Sequence, residues 1–226
     1  MNSYCEITLR FFSIILPWAI RRKLFNEILG YKIDSKARIS SLAWIRPKHL
    51  IMAPGTYIGP FTVAINIDLI DMEENAYIGR NNWITGNNVG TSEYFQNCNN
   101  RISALLMKNN SSITKHHIID CTDQIVIGEY ATIAGYYSQF LTHGINIINN
   151  HQECAAIIIG SYTLIGTGVI ILGGAVLPSY SVLGAGSVLI DNYTKSHMLY
   201  GGTPAKPIKD ISRDAKYFNR ASRIVN

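Results

Sequence analysis

The sequence predicts an all-β solenoid, a chain that turns a corner every six residues and stacks coil upon coil. Two observations carry this. From Ile159 an aliphatic residue recurs every six positions, as Ile159, Ile165, Ile171, Leu177, Leu183 and Leu189. Four positions after it stands a small or β-branched residue: Thr163, Val169, Ala175, Ser181, Ser187. On a helix each six-residue step would carry the aliphatic residue about 120° further round and spread the row over every face. A chain that bends every six residues keeps the row pointing inward, with glycine at Gly160, Gly166 and Gly184 permitting the bend and small residues filling the corners.

Composition narrows the choice. The 226 residues are 47% apolar, which excludes a disordered polar chain. Only 15% are charged, against about 25% in an ordinary domain, which excludes a long solvated helix or coiled coil. The 18 glycines do not recur every third residue, so collagen is excluded. The charge deficit itself predicts surface hidden in an interface. The net charge of +5 favours anionic partners. No Lys/Arg run exceeds Arg21-Arg22-Lys23, so no nucleic-acid partner is expected. Cys5, Cys98, Cys121 and Cys154 form no C-x-x-C pair and read as reduced, buried thiols of a cytosolic protein.

Residues 1–32 form an apolar and basic segment. Phe11–Ile20 is too short to span a membrane, and neither the basic start nor the small-residue cleavage site of a signal peptide is clear, so short helices are the expectation. Two short helices are expected, Glu6–Ile15 and Pro17–Leu29, with Pro17 in the first turn of the second. Phe11, Phe12, Ile14, Ile15, Leu16, Trp18 and Ile20 beside Arg21, Arg22 and Lys23 suit either peripheral membrane contact through residues 6–29 or a cap over the solenoid's open end.

The repeat begins at Ile33, Ile39 and Ile45 and reappears at Ile58-Gly59, Ile78 to Ile84, Met107, Ile113, Ile119, Ile127 and Ile133. Three hexads make one triangular coil, and stacked coils pair as parallel strands about 4.8 Å apart. Residues 33–201 are assigned to the solenoid. Two stretches interrupt it: residues 86–112, Asn-rich with a short turn at Arg101–Lys108, and residues 142–156, which carry His143 and His151. Long loops leaving a solenoid are usually functional. Residues 202–226 form the closing segment and tail, with a short helix.

The chain from about Ile33 to Leu199 resembles the hexapeptide-repeat acyltransferases, whose fold is a left-handed parallel β-helix. The most specific match is Leu199-Tyr200-Gly201-Gly202-Thr203-Pro204-Ala205-Lys206-Pro207-Ile208-Lys209, which is similar to the closing motif of maltose/galactoside-type sugar O-acetyltransferases. Residues 116–144, HHIIDCTDQIVIGEYATIAGYYSQFLTHG, resemble a surface-polysaccharide branch of those enzymes. The left hand comes from the resemblance and departs from the usual crossover preference.

Acetyl transfer from a thioester to a hydroxyl needs a base near neutral pH, an oxyanion donor and cations for the cofactor's phosphates. His143, in Leu141-Thr142-His143-Gly144, matches the family's catalytic histidine by motif. His116 falls where galactoside-type enzymes place an acceptor-contacting Asn, a departure that implies a changed pocket. His117 and Asp120 are grouped with it as acceptor contacts, with surface histidines and a corner cap as the plain alternatives. His151 and Glu153 either orient the base or solvate the loop, and solvation is favoured. His49 and His197 have no motif support.

The resemblance implies acetyl-CoA as cosubstrate, lying along the solenoid axis on Thr167 and Ala185, one coil apart, with Lys206 and Lys209 at its phosphates. The family's next Thr-Lys pair is Ile190-Asp191 here, a departure that Lys195 compensates only weakly. No metal is expected: gamma-class carbonic anhydrases share the repeat but need a close His pair, and His143 and His151 are too far apart. The resemblance also implies a homotrimer with active sites between subunits. The expected function is O-acetylation of a sugar hydroxyl in a bacterial surface polysaccharide or its lipid-linked precursor, in a ternary complex. The expected location is cytoplasmic, either free or peripheral at the inner face of the cytoplasmic membrane. An amino-sugar N-acyltransferase, a zinc hydratase and a non-catalytic scaffold remain the alternatives.

Overall fold

The computed structural model describes residues 3–90, 93–98 and 100–225. Among these the strands form three walls of seven, nine and seven strands, plus a two-stranded hairpin. Successive strands of each wall are parallel, except the last two of the nine-stranded wall, which are antiparallel, and each regular coil contributes one strand per wall. The six-residue rows become three vertical columns. Met52, Met72, Met107, Ile127, Ile159 and Leu177 pair in register on the first wall. Ile58, Ile78, Ile113, Ile133, Ile165 and Leu183 do so on the second. Ile45, Ala64, Ile84, Ile119, Phe140, Ile171 and Leu189 line the third. All are buried and form one continuous core. Phe140 escaped the six-residue count because one extra residue at the preceding corner, with Gly135 at φ +66°, delays it to the seventh position after Ile133.

The glycines after the aliphatic row serve differently from the expectation. Gly79, Gly128, Gly160 and Gly166 do not take the left-handed bend; an added Cβ there would strike the backbone of the next coil, at 1.7 Å from Thr114 O in the case of Gly79. They permit close stacking. The left-handed position lies two residues later and is filled by Asn81, Tyr130, Tyr162 and Tyr180 as well as by Gly168 and Gly186. The strain of a tyrosine there is offset by a ladder in which Tyr130, Tyr162, Tyr180 and His197 stack with centroids 4.7, 5.2 and 5.0 Å apart. Phe218 packs edge-on against Tyr180 and His197, so the tail's single turn, Lys216–Asn219, runs back along this corner.

The N-terminal segment folds as two helices, α1 (Ser3–Ser13) and α2 (Trp18–Leu29). Pro17 precedes α2 as its N-cap instead of entering its first turn. The first coil would otherwise leave a row of unpaired edge carbonyls. The cap bonds four of them: Arg22 and Asn26 to Ile33 O, Trp18 Nε1 to Ala37 O, Arg21 to Ser40 O, and Arg10 to Ile45 O. Arg10 and Arg21 are therefore buried, and Phe25 enters the core. Tyr4, Phe11, Phe12 and Ile15 remain exposed on the outer side. Among the described residues no helix is long and apolar enough to cross a membrane.

Both interruptions leave from the corner between the third and first walls. The first spans less than residues 86–112: Ala104–Met107 is a strand of the first wall and Ser112–Ile113 one of the second, in place of the turn expected at Arg101–Lys108. Leu105 and Met107 alternate inward, and buried Arg101 holds the excursion down through the carbonyls of Asn87, Asn88 and Thr122. The second is an ordered antiparallel hairpin, His143–Asn146 against His151–Cys154. At the far end Met198–Gly202 and Ala205–Asp210 fold into a hairpin that closes the second wall.

Candidate active site

His143 stands where the third wall ends and the hairpin begins, one coil above Asp120, whose backbone pairs with Leu141. Asp120 Oδ2 lies 2.6 Å from His143 Nδ1. The same oxygen accepts the Thr142 N–H at 3.1 Å, while Oδ1 accepts the Thr122 hydroxyl at 2.7 Å and its N–H at 3.1 Å. Burial would raise the Asp120 carboxyl, but the bonds from His143 and Thr122 outweigh it and hold the group below its ordinary value. The Asp120 hydrogen bond raises the imidazole of His143 against an opposing desolvation. With Nδ1–H donating to the Asp120 carboxylate, the neutral ring carries its lone pair on Nε2.

His143 lines an open cleft of about 500 Å³, whose walls include Cys98, His151, Cys154, Leu172 and Gly173. Phe95, from the first excursion, packs edge-on against the imidazole at 5.8 Å. His151 Nε2 lies 3.1 Å from Glu153 Oε1, which also accepts from Asn146. That pair bonds along the hairpin and leaves the orientation of His143 to Asp120.

The other expected residues divide between corners. Asp120, grouped with acceptor contacts, is instead buried behind His143. His117 is also turned inward and buried, which corrects its assignment to an acceptor pocket. Its Nδ1 accepts the Ser138 N–H at 3.2 Å and its Nε2 lies 3.0 Å from Thr114 Oγ1, so both ring nitrogens are spent inside the corner. Burial and the neighbouring His116 push it down to about 4, leaving a neutral ring.

His116 lies on the corner between the second and third walls, at φ +57°, with its ring 5.8 Å from Tyr137. Thr167 and Ala185 stand exposed on that same corner. They are in successive coils: Gly186 N–H bonds Thr167 O at 2.9 Å, and Gly168 N–H bonds Tyr136 O one coil earlier. The Thr167 hydroxyl donates to Tyr136 O. A strand of the third wall, on the order of 15 Å, separates this corner from His143.

Lys206 Nζ pairs with Asp191 at 3.1 Å, and Lys195 with Asp210 at 2.6 Å. The departure at Asp191 thus supplies a counter-ion to the closing motif. Lys209 lies opposite Leu199 in the terminal hairpin, exposed. His197 belongs to the aromatic ladder, and His49 is exposed on the first wall. Of the cysteines only Cys121 is buried; Cys5 is exposed, and Cys98 and Cys154 are half-buried, which corrects the reading of all four as buried thiols. Among the described residues no three His, Cys, Asp or Glu side chains converge to hold a metal ion.

The three walls, the six-residue columns and the two corner excursions define a left-handed parallel β-helix of the hexapeptide-repeat class. No protein-family profile matches the chain, and no curated protein matches it by sequence. Among solved structures it is similar to the polysialic acid O-acetyltransferase OatWY, at 14% identity and a TM-score of 0.61, over 83% of this chain and 90% of that one. A hexapeptide-repeat acetyltransferase of Vibrio cholerae complexed with acetyl coenzyme A matches at 18% identity and 0.45, over 91% and 84%. A variant of AntD, an N-acyltransferase from Bacillus cereus in complex with dTDP and coenzyme A, matches at 13% and 0.48, over 88% and 92%. At 14% identity the likeness to OatWY is one of fold.

Proposed function

We propose that this chain is an acetyl-CoA-dependent O-acetyltransferase that modifies a sugar hydroxyl of a bacterial surface polysaccharide or its lipid-linked precursor. The Asp120–His143 pair at the mouth of a cleft carries the reading. His143 Nε2 takes the proton as the sugar oxygen attacks the thioester carbonyl. A C–O bond forms, the tetrahedral intermediate collapses, the C–S bond breaks, and the departing thiolate takes the proton back from the imidazolium. Asp120 stabilises that imidazolium and fixes the tautomer, the part a buried carboxylate plays behind a catalytic histidine. Transfer is direct, within a ternary complex.

Coenzyme A lies on the corner of Thr167 and Ala185, with Lys206 and Lys209 at its phosphates; Lys206 exchanges Asp191 for phosphate on binding. Because that corner and His143 lie on opposite edges of one wall, the active site forms between subunits of a homotrimer, where one chain's His143 meets another's Thr167 corner. His116, on that corner, contacts the acceptor. The fold shared with a polysialic acid O-acetyltransferase supports a glycan acceptor. The exposed Phe11, Phe12 and Ile15 support peripheral contact of α1 with the inner membrane face, although burial of Arg10 and Arg21 in the cap leaves less basic charge for lipid.

The test is acetyl transfer to candidate glycans by purified protein, with His143→Ala as control. Loss of transfer with retained coenzyme A binding is expected. Wild-type protein that binds no coenzyme A would leave a scaffold, and a product spectrum showing an amide would make it an amino-sugar N-acyltransferase.

A further inference from the structure

Cys98 and Cys154 come from different excursions and meet beside His143. Both line the same cleft. Cys98 Sγ reaches Gln152 O at 3.9 Å, two residues before Cys154 on the same hairpin strand. Each is tied to the histidine or to a residue packed against it. Cys154 pairs with His143 across the hairpin. The Cys98 N–H bonds Phe95 O at 3.0 Å, and the Phe95 ring packs against the imidazole. Cys121, by contrast, is sealed in the core, and Cys5 stands exposed on α1 away from any of these groups.

We propose that Cys98 and Cys154 form a thiol–disulfide site whose oxidation clamps the first excursion to the hairpin and immobilises the walls of the cleft around His143. The oxidant class is a small-molecule disulfide. The Cys98 thiolate attacks one sulfur of that disulfide, forming a mixed disulfide and expelling one small thiolate. Cys154 loses its proton to this thiolate and attacks the Cys98 sulfur, expelling the second. Two protein thiols are oxidised by two electrons, and one small disulfide is reduced to two thiols.

The test uses the full chain in the Cys5→Ser background, treated with glutathione disulfide. The expected product is lighter by two hydrogen atoms, with a proteolytic peptide joining Cys98 to Cys154, and is reversed by dithiothreitol. Hydrogen exchange across residues 93–98 and 143–154 should slow severalfold on oxidation, whereas Cys98→Ser and Cys154→Ser should show neither change. Two separate glutathione adducts, or two free thiols under conditions that fully modify Cys5 in the parent chain, would overturn the site. A cross-link that leaves hydrogen exchange unchanged would overturn the clamp. Any effect on acetyl transfer rests on the function proposed above; the mass and exchange readouts do not, so either reading can fail without the other.

Discussion

The carboxylate of Asp120, sealed beneath a solenoid corner, lies 2.6 Å from Nδ1 of His143 in the coil above. A buried acid accepting bonds from an imidazole, from the hydroxyl and N–H of Thr122 and from the N–H of Thr142 has one consistent state: ionised. Asp120→Asn keeps the shape but presents an amide to the ring and loses the charge that stabilises the imidazolium. We expect kcat to fall by roughly 10²-fold or more with little change in the KM for acetyl-CoA, measured by steady-state kinetics.

The pH profile follows from the same pair. His143 is raised, so it stays protonated, and inactive as a base, to a higher pH than an ordinary histidine. The acidic limb of kcat/KM should lie above the usual imidazole range in the parent and move down in Asp120→Asn. A limb that does not move would detach Asp120 from the base.

His117 makes a separate prediction about stability. Its folded value is depressed to about 4, so between about 6.5 and 4 the unfolded chain binds a proton that the folded one refuses. Stability is therefore full above the unfolded value and is lost as pH falls towards 4, by on the order of 3 kcal/mol. Calorimetric Tm should drop across that window, and His117→Gln should flatten the drop.

Glycine substitutions should sort by cause. At Gly79 an added Cβ would sit 1.7 Å from the Thr114 carbonyl oxygen, and neither backbone can yield without breaking the stack. At Gly30, which ends α2 at φ +70°, the space is open and only the left-handed strain counts. Gly30→Ala should cost about 1 kcal/mol. Gly79→Ala should cost several times more, on the scale of an overpacked core or beyond. Denaturant unfolding compares them.

The cap predicts a solubility effect. Arg10, Arg21, Arg22, Trp18 and Asn26 occupy the edge carbonyls of the first coil. A chain beginning at residue 31 would expose that edge as a template for strand pairing. Sedimentation should show it self-associating beyond the parent's state, and Arg21→Met should weaken the cap without opening the edge fully.

Much of the solenoid could be read from the chain because its period is short and local. An inward side chain every six residues leaves a mark in the sequence wherever coils are regular, as from Ile159 to Leu189. Where a single residue was inserted, before Phe140, the row went out of phase and the signal was lost. His143 was visible because it sits in a short motif at the start of an interruption. Its partner was not, because Asp120 is 23 positions earlier and reaches it only through coil stacking.

By itself, then, the sequence determined the repeat, the three buried columns, a helical N-terminal segment and the position of His143 at the start of the second interruption. These depend on neighbours along the chain and on the burial of apolar surface, which local pattern encodes. Only the tertiary structure decided that the N-terminal arginines face carbonyls, that His117 is core, that glycines serve stacking while tyrosines take the bends, and that Asp120 stands behind His143. Each of these is a contact between coils or excursions, where the distance that matters is one strand spacing and the separation in sequence carries no trace of it.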